Sequence, residues 1–207
     1  MNEGQVKTAV LTHVREATGR RRKPIVTAEF TLGSSGVRAD LAVFAETSIG
    51  FEIKTAKDTL RRLPAQMAAY ARYFDHAVAI VAPCHVPNVA PDALHGGSLW
   101  TYDEDGVLQP LVDGQVNVVA DEALIDLMTQ AERRRGDFRA AIAARYDATS
   151  RQFWAAVSRR SIRSADLPLL SRFAEGRMQA RKLVEERMAY WVQWAEAQNS
   201  SLATIAA

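Results

Sequence analysis

Three charged residues interrupt apolar runs at a spacing that chemistry can use. Arg38-Ala39-Asp40-Leu41-Ala42-Val43-Phe44 and Gly50-Phe51-Glu52-Ile53-Lys54 read as two neighbouring strands. Side chains alternate along a strand, so Val37, Ala39, Leu41 and Val43 are expected on one face of the first strand. Arg38, Asp40, Ala42 and Phe44 take the other. On the second strand Ile49, Phe51 and Ile53 oppose Gly50, Glu52 and Lys54. Glu52 and Lys54 therefore point the same way, and strand pairing brings Asp40 beside them. Unpaired buried charge costs several kcal/mol, and adjacent carboxylates raise the pKa of one of the pair. A hard divalent cation relieves both problems. Mg²⁺, with Mn²⁺ as a substitute, takes oxygens from one or two carboxylates and keeps several waters. Asp40 and Glu52 are the candidate ligands, and the Ile53 carbonyl offers a further oxygen. Lys54 is placed to orient or polarise the attacking water, or to neutralise a phosphate. These parts suit metal-assisted phosphodiester hydrolysis. A Glu-x-Lys alone is usually a solvated sheet face; the Asp upstream, in phase on its own apolar run, is what marks a site.

Asp40, eleven intervening residues and then Glu52-Ile53-Lys54 together resemble the PD-(D/E)XK nuclease superfamily, with Ala39 where that family usually has proline. Gln66-Met67-Ala68-Ala69-Tyr70 is similar to the Q-x-x-x-Y helix motif of the RecB-type exonuclease branch. Residues 24 to 83 also resemble small bacterial DNA-repair proteins of the MmcB-like type, in their succession of a Glu-bearing strand, Arg-Ala-Asp-Leu and Glu-Ile-Lys. The resemblance spans residues 1 to 115. It implies a restriction-endonuclease-like α/β fold, a mixed central sheet flanked by helices, and Mg²⁺-dependent cleavage of DNA. It also implies that Gln66 and Tyr70 position the phosphate or the strand end. Glu29 is either a third acid at the metal or an exposed strand residue, and the MmcB-like resemblance favours the metal. Arg38 either pairs with an acid or meets the scissile phosphate. Glu16 stands where many members place an extra orienting acid, and it could equally form a surface pair with an arginine.

The elements that must position these residues follow from periodicity and punctuation. Val6, Val10 and Val14 at fourfold spacing predict a helix over residues 3 to 18, stopped by Gly19. Arg20-Arg21-Arg22-Lys23 follows, either a solvated loop or a grip on a phosphate backbone. Pro24 to Leu32 reads as a strand, and Gly33-Ser34-Ser35-Gly36 turns it into the Asp40 strand. Lys57, Arg61 and Arg62 lie on the linker after Lys54, at the rim of the site. Pro64 opens a helix to about residue 74, with Leu63, Met67, Tyr70 and Phe74 facing the sheet. His76 to Pro83 is apolar enough for a strand buried on both faces, which completes a βαβ crossover. Ser98 to Tyr102 and Val107 to Val112 are further strands. Cys84, His85 and His95 lack metal-ligand spacing.

The character changes near Gly114 and is helical from about 120 onwards, which divides the chain into a nuclease-like core over 1–115 and a helical region over 116–207. One helix is expected to run through Leu124 and Met128 to Arg135, followed by helices over 138–146 and 152–160. A long helix is expected from Asp166 to about Asn199. Its Phe173, Ala180, Val184, Trp191 and Trp194 fall near heptad spacing. These helices either clamp DNA, or they cover the sheet or form a homodimer seam, the latter reading being favoured. Leu202 to Ala207 reads as a frayed tail.

The chain has 207 residues, 48% of them hydrophobic, and a net charge of +2, so any basic footprint for nucleic acid must be local. No run of 18 apolar residues suggests a membrane span, and the charged N-terminus does not suit a signal peptide. One cysteine fits a reducing cytoplasm. The expected activity is metal-dependent DNA cleavage in repair, defence or mobile-element processing. The alternative is a catalytically silent nuclease-fold module that binds nucleic acid or recruits partners. The absence of a G-x-x-x-x-G-K loop disfavours an NTPase.

Overall fold

A computed structural model describes residues 1–19, 23–134 and 136–171, together with Tyr190 and Trp194. Residues 1–171 form one compact unit and residues 172–207 another. The predicted long C-terminal helix, its homodimer seam and the frayed tail therefore fall, Tyr190 and Trp194 apart, outside the described residues beyond Ser171. The segment where that helix was expected to open, Ser164–Leu170, is a 3-10 helix.

The first helix, α1 (Glu3–Thr18), starts where Asn2 and Gln5 exchange side-chain to backbone hydrogen bonds of 2.8 and 2.9 Å. That reciprocal cap satisfies two N-terminal donors. Three strands follow: β1 (Ile25–Thr31), β2 (Arg38–Phe44) and β3 (Ser48–Lys54). After α2 (Leu63–Tyr73) come β4 (His76–Val81), β5 (Ser98–Tyr102) and β6 (Leu108–Val112). Together they make a six-stranded mixed sheet in sequential order β1 to β6. Pairing is parallel between β3 and β4 and between β4 and β5, and antiparallel elsewhere. The crossover β3–α2–β4 thus forms as the apolar β4 run requires. Ala77 to Val81 are all buried, alternating between the two faces of the sheet.

Two apolar clusters cover those faces. On one side, α1 lays Val6, Val10, Leu11 and Val14 on Leu41, Val43, Phe51 and Ile53. On the other, α2 packs Met67, Tyr70 and Phe74 over Ala42, Ala77 and Ala79. Gly50 lies between Ala42 and Ala77 in adjacent strands. A Cβ there would stand 2.3 Å from the Phe74 ring and 2.8 Å from that of Tyr70. This floor of small residues lets α2 approach closely enough for its tyrosine to reach β2 and β3 in the sheet interior.

Helices after residue 116 cover the sheet: α3 (Asp121–Asp126) and α4 (Phe138–Ala144) on the α2 side, α5 (Asp147–Ala156) on the α1 side. The helix expected to run to Arg135 stops at Asp126. Its carboxylate is recruited by the Ser34 N–H at 2.9 Å and the Tyr73 hydroxyl at 2.5 Å, and the chain then turns through Thr129 into a short 3-10 helix, Glu132–Arg134. Among the described residues no helix is long and apolar enough to cross a membrane.

Gly50→Ala is expected to destabilise the protein by about 1–3 kcal/mol, because the added methyl collides with ring atoms packed in place. Denaturant unfolding checks this, and wild-type stability in the variant would show that α2 is free to shift outward.

Candidate active site

The site is built around a fault in the sheet. Glu29 of β1 has φ of 56°, in the left-handed region that non-glycine residues seldom adopt. The β1–β2 register runs continuously except at this rung, where Glu29 would face Asp40. At the same rung both strands change faces. Val26, Ala28, Leu41 and Val43 face α1, whereas Phe30, Leu32 and Ala39 face α2. The alternation expected for Val37, Ala39, Leu41 and Val43 therefore fails. The backbone turn at Glu29, with the unpaired rung at Asp40, shifts the strand by half a period.

The fault also ends the β2–β3 ladder. Its last pair is Leu41–Phe51, and beyond it the Asp40 carboxylate accepts the Ile53 N–H at 2.7 Å. A side chain replaces a backbone partner, so the sheet opens there without stranding a donor. N–H and C=O of one strand residue leave on the same edge. The Lys54 carbonyl is taken by Ala82 of the chain beyond β4, so the Ile53 carbonyl leaves towards Asp40.

On the α2 side stand Glu52 and Lys54, only 2% and 4% exposed. Lys54 Nζ donates to Glu52 Oε1 at 2.5 Å. The Tyr70 hydroxyl donates to Glu52 Oε2 at 2.7 Å and accepts the Asp40 N–H at 3.3 Å. Tyr70 thus ties the two carboxylate-bearing strands together. Gln66, one turn earlier, makes no hydrogen bond to Asp40, Glu52 or Lys54, and its amide oxygen is buried without a partner. On the α1 side Glu29 Oε1 accepts from Lys7 at 2.8 Å, and Glu29 Oε2 pairs with the exposed Arg38 at 3.0 Å. Of the two roles open to Arg38, pairing with an acid is the one seen. Glu3, Glu29 and Asp40 each offer an oxygen within 4.8 Å of the others.

Lys7 and Glu3 join the site without having been expected there. The available signal was a lysine lying on the apolar stripe of α1, one turn after a glutamate. Glu16, the acid suggested by resemblance, lies near the other end of α1. Lys23 of the basic run donates to the Arg15 carbonyl at 2.8 Å and closes the C-terminus of α1, while Arg20 to Arg22 fall outside the described residues. Beyond Lys54, Asp58 accepts from the Thr55 N–H at 2.8 Å and hydroxyl at 2.6 Å. The Thr55 hydroxyl bond, the largest influence, holds the Asp58 carboxyl below the usual range. That turn fixes the start of a segment whose Lys57, Arg61 and Arg62 are all exposed.

Electrostatics single out Asp40. Burial, and next the Glu52 charge, push its carboxyl up to about 7, against the pull of the Ile53 N–H and of Lys7. Burial and the same carboxylates push the Tyr70 hydroxyl well above the usual phenol range, so it remains a donor. Lys7 is held above its ordinary value. Burial pushes it down, but the hydrogen bonds to Glu29 and Glu3 outweigh that. The donor set fits a hard divalent cation: two carboxylates, a strand carbonyl on the same edge, and a local shortage of positive charge.

A sequence model of the family described as bacteriophage P4 protein cII matches residues 1–132, a span that contains every residue of this site. No curated protein and no solved structure matches the chain.

A carboxyl titrating higher in the folded chain favours folding while protonated. The Asp40 contribution is complete below about pH 4 and is lost as pH rises through about 7. Asp40→Asn, locked neutral, should therefore melt above wild type at pH 8 in EDTA, by about 1–3 kcal/mol, with the gap closing towards pH 4. Mg²⁺ at pH 8 should raise the melting temperature of wild type but not of the variant. Parallel pH profiles for the two proteins would contradict this.

Proposed function

The chain belongs to the bacteriophage P4 protein cII family, and we propose that it is a metal-dependent DNA nuclease of PD-(D/E)XK type. The observation that carries the reading is the opened rung itself: the Asp40 carboxylate holds the Ile53 N–H between Glu52 and Lys54, and Tyr70 joins the Glu52 carboxylate to the Asp40 backbone N–H. A divalent ion held by Asp40 and Glu52, with the Ile53 carbonyl, would polarise a phosphoryl oxygen and lower the pKa of its water. The chain's own groups do the rest. Tyr70 fixes one oxygen of Glu52 and the backbone N–H of Asp40. Lys54 carries a buried ammonium that can orient the attacking water or meet charge developing on the phosphate. Lys57, Arg61 and Arg62, between Lys54 and α2 in the chain, are exposed cations suited to a phosphate backbone. Gln66, whose amide can present either its oxygen or its NH₂, is kept for the strand end. A phage family favours mobile-element or defence processing over general repair as the setting, with DNA met in the cytoplasm.

One observation favours a second reading. Both oxygens of Glu52 are already engaged, one by Lys54 and one by Tyr70, as suits a silent nuclease-fold module that binds nucleic acid without cutting it.

End-labelled duplex, single-stranded DNA and closed circular DNA, assayed with Mg²⁺, Mn²⁺ or EDTA, separate the two. Cleavage is expected with either metal and not with EDTA. Glu52→Gln should abolish it while leaving Lys54 a hydrogen-bond acceptor in place of its countercharge, and Lys54→Ala should lower it by about 10²-fold or more. Cutting by Glu52→Gln at the wild-type rate would overturn the assignment. Tight DNA binding without any cutting would establish the silent module.

A further inference from the structure

We infer that Lys7 is a resident cation of this site: its ammonium neutralises the acids on the α1 side, so that the chain takes one divalent ion and not two. The inference rests on the metal-dependent reading above and deepens it. Three carboxylates crowd one corner, with oxygens of Glu3, Glu29 and Asp40 mutually within 4.8 Å. Such crowding is costly without positive charge. Lys7 Nζ answers it, at 2.5 Å from Glu3 and 2.8 Å from Glu29. The lysine side chain is only 7% exposed, while that of Glu3 is 53% exposed. The ammonium therefore lies deeper than one of the acids that holds it, which is not the habit of a surface i, i+4 pair.

The partition of charge around Asp40 follows from this placement. Glu29 spends one oxygen on Lys7 and the other on Arg38, which leaves it neutralised without a metal. Asp40 feels Lys7 from the α1 side and Glu52 from the α2 side. A divalent ion shared by Asp40 and Glu52 then completes the neutralisation, and a second one in the α1 corner would meet an ammonium already in place. Lys7 is thus a positioning residue that sets how many ions the acids can accept. A lysine with a purely structural role would, when replaced, lower stability and leave ion stoichiometry alone.

Mn²⁺ counted by electron paramagnetic resonance of the free ion distinguishes these roles. Full-length wild type and Lys7→Arg are expected to bind one Mn²⁺ per chain, and Lys7→Gln to bind two. Lys7→Gln should melt below wild type in EDTA and gain more from Mn²⁺ than wild type does. One ion in Lys7→Gln at wild-type affinity would overturn the inference while leaving the metal reading intact, as would two ions in wild type. A Lys7→Gln chain that stays unfolded in Mn²⁺ would also overturn it, because the ammonium would then not be exchangeable for a metal cation. A wild type that binds no Mn²⁺ would overturn the metal reading itself, and the inference with it.

Discussion

The Asp40 carboxylate takes the Ile53 N–H where a β2 carbonyl would have continued the ladder, and most of the site depends on that exchange. A sheet cannot simply stop pairing in its interior, because an orphaned donor costs about 1–3 kcal/mol. Asp40 meets the cost with its own side chain, and β2 is free to part from β3 beyond Leu41. The opposite strand makes the same departure at Glu29, whose left-handed backbone is a strain of about 1–3 kcal/mol held in place by its surroundings. Both strands change faces at that rung. Asp40 is in consequence the one site acid reached from both faces of the sheet, by Glu52 and Tyr70 on one side and by Lys7 on the other.

The flanking helices are placed to exploit the opening. The floor of Ala42, Gly50 and Ala77 lowers α2 until the Tyr70 hydroxyl touches Glu52 and the Asp40 N–H. On the other face α1 delivers a lysine into a corner of acids. The two contributions differ in kind. Tyr70 supplies a neutral donor whose proton is secured by the carboxylates around it, whereas Lys7 supplies charge. Neither outweighs the burial and the Glu52 charge that push the Asp40 carboxyl up to about 7. A divalent cation would offset both, and that is the physical case for one.

Much of this was legible in the sequence, where local pattern decided the matter. Valines at fourfold spacing and a terminal glycine marked α1 to the residue, and apolar runs marked the strands, with glycine turns before β2, β5 and β6. Asp40, Glu52 and Lys54 were conspicuous as charges interrupting such runs. The change of faces at Glu29 was not legible, because a left-handed turn is signalled by glycine or asparagine and here the residue is glutamate. Lys7 was hidden because a helix lysine one turn after a glutamate ordinarily makes a surface pair and extends to solvent. The early end of α3 was set by Ser34 and Tyr73, which reach Asp126 from 92 and 53 residues away. Contacts at that separation leave no trace in periodicity.

On the reading proposed above, the opened edge between β2 and β3 is a cation site made by Asp40 and Glu52. Crystals grown with Mn²⁺ and measured at its absorption edge test it most directly. An anomalous peak is expected within bonding distance of oxygens from both Asp40 and Glu52, on the edge where the Ile53 carbonyl emerges. A structure with the metal bound elsewhere, and with the Glu52–Lys54 and Asp40–Ile53 contacts unchanged, would contradict it.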